Sequence, residues 1–197
     1  MADVVLIDAG GTNIGSVRYA LQRLGVDAAM SDDPARIRAA SHVILPGVGA
    51  AGPGMARLRA NGLDRLIREL EQPVLGVCLG MQLLFAHSEE GDTACLGVVP
   101  GEVRHFPRET GLRVPHMGWN RLCIERDDPL LRGVNDGDFA YFVHSYAAAP
   151  GPHVLASSEH GAPFAAVVRK DNFCGMQFHP ERSANVGARL LENFLSL

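Results

Sequence analysis

Short apolar runs alternate with helix-like segments in the first half of the chain. Near-continuous apolar runs are typical of strands that are buried on both faces, and they occur at residues 4–7, 26–30, 43–45 and 73–77. Helical spacing of apolar residues, or a helix-capping pattern, predicts helices at residues 16–24, after Pro34, within 58–70 and at 79–86. This alternation implies right-handed strand–helix–strand units, and therefore a parallel sheet flanked by helices.

The second half is richer in short strands, which are separated by Gly, Pro, Asp and Asn turns. These strands are predicted at residues 96–99, 102–106, 139–143, 153–156, 164–168 and 173–178. An amphipathic helix is predicted at residues 186–195. Because neither a repeat nor a linker interrupts the pattern, residues 1–197 are predicted to form a single α/β domain. Its sheet is expected to be open, mixed and mainly parallel, with additional antiparallel strands in the second half.

Charge and hydropathy exclude two classes of function. The 197 residues carry 18 Lys and Arg against 22 Asp and Glu, a net charge of −4. Phosphate binding needs clustered cations, so no nucleic acid is expected as a partner. No apolar run approaches the ~18 residues that a membrane span requires, so no membrane is expected either. The N-terminus lacks the pattern of a signal peptide, and a cytoplasmic protein is expected.

Neither the glycine-rich turn after the first strand nor the cysteines predict a ligand site. Residues 10–16 follow the first strand, but Thr12 stands where a dinucleotide motif needs its second glycine, and Ser16 replaces the lysine of a P-loop. A tight turn is therefore favoured over a phosphate site, and no cofactor is expected. The cysteines contain no C-x-x-C pair, so no metal is expected, and in a reducing compartment they are free thiols. They are Cys78, Cys95, Cys123 and Cys174.

Cys78 has the strongest sequence signal for catalysis. The segment Gly76-Val77-Cys78-Leu79-Gly80 has the G-x-nucleophile-x-G form of a nucleophile elbow, where a strand turns abruptly into a helix. A thiol at a helix N-terminus is favoured in its thiolate form, and the N–H of Leu79 can face a developing oxyanion. The alternative is a buried cysteine at the end of a strand, and the two flanking glycines favour the nucleophile.

His179 is the candidate base for that thiol. It ends the predicted strand 173–178, where side chains project into sites at a sheet edge. Glu181 follows on the same turn and can hold the imidazole tautomer. Each remaining histidine, taken alone, is expected at the surface or in a turn.

Three further segments are expected near Cys78. Residues 46–49, Pro-Gly-Val-Gly, follow the third strand, and can present a backbone N–H to the thiol, although a plain turn is the alternative. Gln82 lies on the same helix face as Cys78. Residues 115–120 place the only tryptophan, Trp119, in what is predicted to be a polar loop, where it can anchor an interface. Residues 141–146 form a strand whose polar end can line a pocket.

Together, these motifs resemble the class I (triad) glutamine amidotransferases. The general part of the resemblance is the segment 76–82 with the segment 178–181, Phe-His-Pro-Glu. The discriminating part is residues 46–49, 115–120 and 141–146, which are similar to those of the glutaminase subunits of imidazole glycerol phosphate synthase, an enzyme of histidine biosynthesis. The resemblance runs nearly from end to end and implies the fold of that family.

The resemblance also implies roles for individual residues. It implies a catalytic triad of Cys78, His179 and Glu181. It implies oxyanion-hole N–H groups at Val48, Gly49 and Leu79, and contacts to L-glutamine at Gly47, Gln82, His144, Ser145 and Tyr146. It implies a heterodimer with a (β/α)₈-barrel cyclase subunit, which receives the ammonia, through interface residues Asn13, Met117, Trp119 and Asn120. The first turn departs from the usual Gly-x-Gly-Asn, because it reads Gly10-Gly11-Thr12-Asn13.

Two classes of function remain open at this point. A different amidotransferase or a stand-alone cysteine hydrolase would share the triad, although the Trp119 segment counts against it. A non-catalytic Rossmann-like binding module would tolerate the loss of Cys78. A separate glutaminase subunit would waste ammonia without its partner, so the chain alone is expected to be a poor glutaminase. The two glycines that flank Val48 offer a candidate gate, because they make a reorientation of its peptide sterically cheap.

Overall fold

A computed structural model describes residues 2–8, 14–107 and 111–197 of the chain. The predicted interface residue Asn13 and the turn at residues 10–12 lie outside this part of the chain. The strands are β1 Val4–Ile7, β2 Ala29–Ser31, β3 His42–Gly47, β4 Val74–Cys78, β5 His87–Ser88, β6 Thr93–Ala94, β7 Glu102–His105, β8 His116–Arg121, β9 Cys123–Ile124, β10 Phe139–His144, β11 Tyr146–Ala148, β12 Val154–Glu159, β13 Pro163–Lys170 and β14 Phe173–Met176. The helices are α1 Ile14–Arg23, α2 Pro34–Ala39, α3 Ala51–Ala60, α4 Leu63–Arg68, α5 Leu79–Leu84 and α6 Ala184–Phe194, and 3₁₀ turns lie at Pro129–Leu131 and Pro180–Arg182.

The central sheet is mixed and mainly parallel, as predicted. Within the described residues its strand order is β2-β1-β3-β4-β14-β13-β12-β9. The strands from β2 to β14 run parallel, and β13, β12 and β9 continue the sheet in antiparallel pairing. Strand β14 therefore lies directly beside β4, although the two are far apart in sequence. Two smaller sheets, β10-β8 and β11-β7-β5-β6, stand beside the central one.

Apolar residues on successive positions of each central strand face opposite sides of the sheet. In β1, Val4 and Leu6 pack with α1 and α6, whereas Val5 and Ile7 pack with helices α2 to α5. Such two-sided burial explains why the parallel strands appear in the sequence as continuous apolar runs. The sheet is thus the middle of three layers, and its strand ends are free to carry a site.

Three glycines bring α5 into contact with the sheet. A Cβ atom built on Gly80 would lie 1.8 Å from the carbonyl oxygen of Leu45 in β3. Similarly, a Cβ on Gly76 would lie 2.6 Å from the Gly80 oxygen, and one on Gly47 would lie 2.6 Å from the Gly80 nitrogen. A residue with a side chain therefore cannot replace any of these glycines unless the backbone moves. The first turn of α5 is therefore seated on the carboxyl ends of β3 and β4.

The prediction of a strand at residues 96–99 is wrong. These residues form an irregular segment whose Leu96 and Val99 side chains are buried. Its backbone N–H groups at positions 96, 97 and 99 donate to the carbonyls of Leu83, Phe85 and Leu84, at the end of α5. The segment is apolar because it is buried. Its backbone N–H groups, however, bond the free carbonyls at the C-terminus of α5 instead of pairing with a strand.

Two other elements also differ from expectation. The segment 115–120 was predicted to be a loop, but residues 116–121 form β8, which pairs with β10. Gly118 and the absence of β-branched residues concealed this strand. The helix within 58–70 is two helices, α3 and α4, separated by Gly62 at a φ of 66°. The start of α3 was missed because its first turn, Ala-Gly-Pro-Gly, has the composition of a turn.

In the part of the chain that the structure describes, no helix is long and apolar enough to cross a membrane.

Candidate active site

Cys78 occupies the predicted elbow. It is the last residue of β4 and immediately precedes α5, with φ 53° and ψ −112°. A positive φ is rare for a residue with a side chain and costs on the order of 1–3 kcal/mol, so it persists only where the surroundings impose it. Here the contacts of Gly76 and Gly80 impose it. The Sγ atom is consequently held above the strand ends, 3.8 Å from the carbonyl oxygen of Val143 in β10.

His179 reaches the same point from the neighbouring strand. It follows β14, which pairs with β4, and its N–H donates to the Tyr141 carbonyl at 2.9 Å. The Ser183 hydroxyl donates to the His179 carbonyl at 2.7 Å and accepts from the Tyr141 N–H at 2.9 Å. A Cβ on Gly187 would lie 1.9 Å from the Pro180 oxygen, so α6 is packed tightly against this turn. The imidazole is thus fixed through its backbone.

Glu181 completes a triad with these two residues. Its Oε1 atom lies 3.0 Å from Nδ1 of His179, and the two side chains are 2% and 8% exposed. Burial lowers the pKa of His179, but hydrogen bonds to Cys78 and Glu181 and their charges outweigh it and raise that pKa to about 10. The site therefore favours a proton on the imidazole, between the Cys78 sulfur and the Glu181 carboxylate. This is the arrangement that a proton donor to a leaving group needs.

A cavity of about 280 Å³ opens above the thiol. That volume lies near the lower end of the range for small-molecule sites, about 300–1,000 Å³. The triad contributes Cys78 and His179 to its wall. The predicted binding and oxyanion residues in the wall are Val48, Gly49, Leu79, Gln82, His144, Ser145 and Tyr146. Gly47 lines a second cavity, which shares Val48, Gly49 and Leu79 with the first, and the role of Gly47 in binding stays a prediction.

Within the predicted oxyanion segment, Gly49 has open space beside it. Gly49 has a φ of 96°, a conformation that suits glycine, and nothing lies within 4 Å of where its Cβ would be. Gly47 pairs with Cys78 across β3 and β4, so Val48 and Gly49 follow immediately above the thiol. Leu79 begins α5, where N–H groups lack intrahelical partners. The oxyanion roles of these residues stay predictions.

Glu90, which no sequence pattern singles out, also lines the cavity. Its Oε2 atom accepts from the N–H of Ala51, at 2.8 Å, where α3 begins. The carboxylate therefore joins the segment after Gly49 to the cavity wall. The residue lies in a Ser-Glu-Glu-Gly-Asp turn, and that composition alone is typical of a solvated loop.

The expectation that the other histidines lie at the surface or in turns is wrong for His42, His116 and His144, which are buried. Burial, with nearby His160, lowers the pKa of His116 to about 4. Burial lowers that of His144 to about 3, against a hydrogen bond from the ring to the Tyr146 carbonyl. Both rings are therefore neutral near pH 7.

The predicted interface residues of β8 point to opposite faces. Met117 and Trp119 are 64% and 52% exposed, and Trp119 meets Tyr141 of β10 edge to face at 5.8 Å. Phe139 extends this patch, and the guanidinium of Arg182 lies over the Tyr141 ring. We call these five residues the β8–β10 surface.

Asn120 points to the opposite face of β8 from Met117 and Trp119. There its amide forms hydrogen bonds with the His116 ring and the Glu159 carbonyl.

Comparisons with known proteins show the family of the chain. The family model for "Glutamine amidotransferase class-I" matches residues 5–197. The "Imidazole glycerol phosphate synthase subunit HisH" of Xanthomonas axonopodis pv. citri (strain 306) is 58% identical over 100% of this chain and 98% of its own length. The protein of the same description from Xylella fastidiosa (strain Temecula1 / ATCC 700964) is 55% identical with the same coverage.

Solved structures share the fold at low identity. A structure described as "Crystal structure of glutamine amidotransferase" has a TM-score of 0.76 and 22% identity, and the match covers 98% of this chain and 97% of that one. The structure of PurLQS from Thermotoga maritima has a TM-score of 0.73 and 18% identity, covering 100% of this chain and 99% of the matched one. Fold, elbow and full-length identity point the same way: the chain belongs to the class I glutamine amidotransferase family, alongside the HisH subunits of imidazole glycerol phosphate synthase.

Proposed function

We propose that this chain is the glutaminase subunit of an imidazole glycerol phosphate synthase. It hydrolyses L-glutamine to glutamate and ammonia, and it delivers the ammonia to a (β/α)₈-barrel cyclase in histidine biosynthesis. The observation that carries this proposal is the buried arrangement of Cys78, His179 and Glu181 beneath a small cavity whose wall includes the Glu90 carboxylate and the Gln82 amide.

The reaction follows from the geometry of these three residues. The Cys78 thiolate attacks the side-chain amide carbon of glutamine, and the resulting tetrahedral oxyanion collapses as His179 gives its proton to the departing ammonia. The product is a γ-glutamyl thioester. His179, now neutral, takes a proton from the water that attacks the thioester, and this step releases glutamate, frees the Cys78 thiolate and leaves the imidazole protonated again. Glu181 holds the imidazole through Nδ1 in both half-reactions.

Charge and hydrogen-bonding capacity orient the substrate in the cavity. The Glu90 carboxylate suits the α-ammonium group of an amino acid, because it is an acidic group in the wall and remains anchored to the backbone of Ala51. Gln82 donates its amide hydrogens to the Tyr146 carbonyl at 2.8 Å and to Gln177 Oε1 at 3.1 Å. Its own carbonyl oxygen is then the atom that remains for a ligand.

The β8–β10 surface is the proposed docking site for the cyclase. Exposed Met and Trp side chains backed by Tyr and Arg have the composition of an interface hot spot. Strand β10 also carries the Val143 carbonyl beside Cys78 and the Tyr141 carbonyl that holds His179. A partner on this surface lies next to the point where ammonia is formed.

Glutaminase turnover is expected to rise in steps when it is measured for the isolated chain, for its complex with the cyclase, and for that complex with a cyclase ligand. If partner docking turns an N–H of the segment 46–49 toward the oxyanion, one added donor is worth about 10²–10³ in kcat. The measurement is glutamate release under saturating glutamine. Equal rates in all three states would contradict gating and favour a stand-alone amidohydrolase.

A matched pair of surface variants controls this experiment. Trp119→Ala removes an aromatic anchor of the β8–β10 surface, and a hot-spot truncation of about 2 kcal/mol weakens association about 30-fold. Met30→Ala removes an exposed apolar side chain on β2, at the far edge of the central sheet. The first variant should need more cyclase to reach full stimulation, and the second should not. The same cyclase requirement for both variants would remove the β8–β10 surface from the proposal.

Replacing Glu181 by glutamine should lower kcat on the order of 10²–10⁴-fold, with a smaller change in KM, as for the third member of other triads. The pH profile should change as well. The carboxylate helps to hold the His179 proton and raises its pKa, so its loss lets the ring deprotonate at lower pH. The basic limb of kcat/KM should therefore move to lower pH. An unchanged kcat and basic limb would leave Glu181 a structural residue.

A further inference from the structure

A chain of hydrogen bonds runs from β8 to the wall of the substrate cavity, and the two histidines at its centre are buried. Nδ1 of His144 lies 2.9 Å from the Tyr146 carbonyl oxygen, and its Nε2 lies 3.2 Å from Nδ1 of His116. Nε2 of His116 lies 3.2 Å from the Asn120 amide nitrogen. That amide also donates to the Glu159 carbonyl at 2.8 Å, and its oxygen accepts from the Arg121 N–H at 2.8 Å.

The direction of every bond in this chain is fixed. A carbonyl only accepts, so Nδ1 of His144 carries the hydrogen, and in a neutral ring Nε2 is then an acceptor. His116 must therefore donate from its own Nδ1, and its Nε2 accepts from Asn120. The Asn120 amide cannot turn over, because its oxygen and nitrogen are each held by backbone groups. Both histidines are thus held as Nδ1–H tautomers.

This chain of hydrogen bonds ends on the Tyr146 carbonyl, the group that orients Gln82. The Tyr146 carbonyl accepts from His144 and, at 2.8 Å, from Nε2 of Gln82. The second amide hydrogen of Gln82 is used by Gln177, which is fully buried. If His144 adopted the other tautomer, its Nδ1 lone pair would face the carbonyl oxygen, and that carbonyl would have to move.

We propose that His116 and Asn120 are positioning residues for substrate recognition: they fix the tautomer of His144, which holds the Tyr146 carbonyl and thereby directs the Gln82 oxygen into the cavity. Neither His116 nor Asn120 is among the residues that line this cavity. His144, which does line it, uses both ring nitrogens within the protein. The inference deepens the proposed function, because it assigns a task in binding glutamine.

Nitrogen NMR of the histidine rings tests the tautomers without reference to activity. Near neutral pH, the His116 and His144 rings of the intact chain should each show a protonated Nδ1 and an unprotonated Nε2. The lowered pKa values of both rings keep them neutral at this pH. An Nε2–H tautomer at either ring in the wild-type chain would overturn the proposal outright.

Two variants of His116 separate positioning from packing. His116→Asn keeps a donor near the place of Nδ1, whereas His116→Phe keeps a ring that can stack on Phe142 and His160 but has no donor. In the complex with the cyclase, the Phe variant should raise the KM for glutamine about three- to tenfold, the effect of one hydrogen bond. Its kcat should change by less than about twofold, because the triad is untouched. The Asn variant should keep a KM close to that of the wild type.

The outcomes distinguish this inference from the proposed function. Equal KM values for the two variants, or a loss confined to kcat, would overturn the positioning role even if glutamine is hydrolysed normally. If the wild-type complex hydrolysed no glutamine, the proposed function would fail, while the NMR experiment would still decide the tautomers. If the Phe variant does not fold, the Asn variant and the wild-type spectra carry the test.

Discussion

Cys78→Ala is expected to abolish glutamine-dependent turnover, with a loss of at least about 10⁴-fold, as for other triad nucleophiles. Without the sulfur no thioester forms, and the remaining donors stabilise only a slow direct attack by water. Cyclisation supplied with free ammonia should continue in the complex, because that chemistry belongs to the partner. Parallel assays with glutamine and with ammonium salt provide the measurement.

The other thiols supply the control. Burial raises the pKa of Cys95 to about 11 and that of Cys174 to about 12, which keeps both protonated and unreactive. Cys123 is exposed on β9. A glutamine-analogue alkylating agent should label Cys78, and Cys123→Ala should retain glutamine-dependent turnover. Preferential labelling of Cys95, Cys123 or Cys174 would contradict the assignment of the nucleophile.

Gly80→Ala should produce the largest loss of stability among single-methyl additions in this region. Its Cβ would overlap the Leu45 carbonyl oxygen at 1.8 Å, and backbone on both sides prevents relaxation. Overpacking typically costs 1–3 kcal/mol and occasionally more, so a loss of about 3 kcal/mol in the free energy of unfolding is expected. Denaturant unfolding followed by circular dichroism measures it.

Gly151→Ala is the matched comparison for this variant. Nothing lies within 4 Å of a Cβ at Gly151, and its φ is not in the left-handed region. Its effect should therefore stay within about 0.5 kcal/mol, as for ordinary surface substitutions. Similar losses for the two variants would mean that α5 can move away from the sheet.

The central sheet was predictable from sequence because its strands are buried on both faces. Continuous apolar runs identified β1, β3 and β4, and the neighbouring glycines identified the elbow at Cys78. Strand β8 was hidden because its inward side chains are polar. In β8, the side chains of His116 and Asn120 form a hydrogen bond with each other, whereas an ordinary core strand would have apolar side chains at these positions. Periodicity detects burial through hydrophobicity, and it cannot detect burial through hydrogen bonding.

The placement of Cys78 beside His179 was predictable for a different reason. Cys78 and His179 each lie next to a diagnostic local pattern, and neighbouring parallel strands bring those patterns together. Glu90 and Gln177 lack such a pattern. Glu90 lies in the cavity wall and its carboxylate accepts from the Ala51 N–H, and Gln177 accepts a hydrogen bond from Gln82. Roles of this kind depend on tertiary contacts between distant segments.

The pairing of β14 with β4 has a consequence for the order of synthesis. The proposed nucleophile, Cys78, ends β4, but its proposed base, His179, follows β14, which is made about 100 residues later. A nascent chain on the ribosome therefore carries the thiol without its proposed proton donor until residue 179 has been added. Under the proposed mechanism, a chain translated only as far as β13 hydrolyses no glutamine, so ammonia is not released before the two strands have paired.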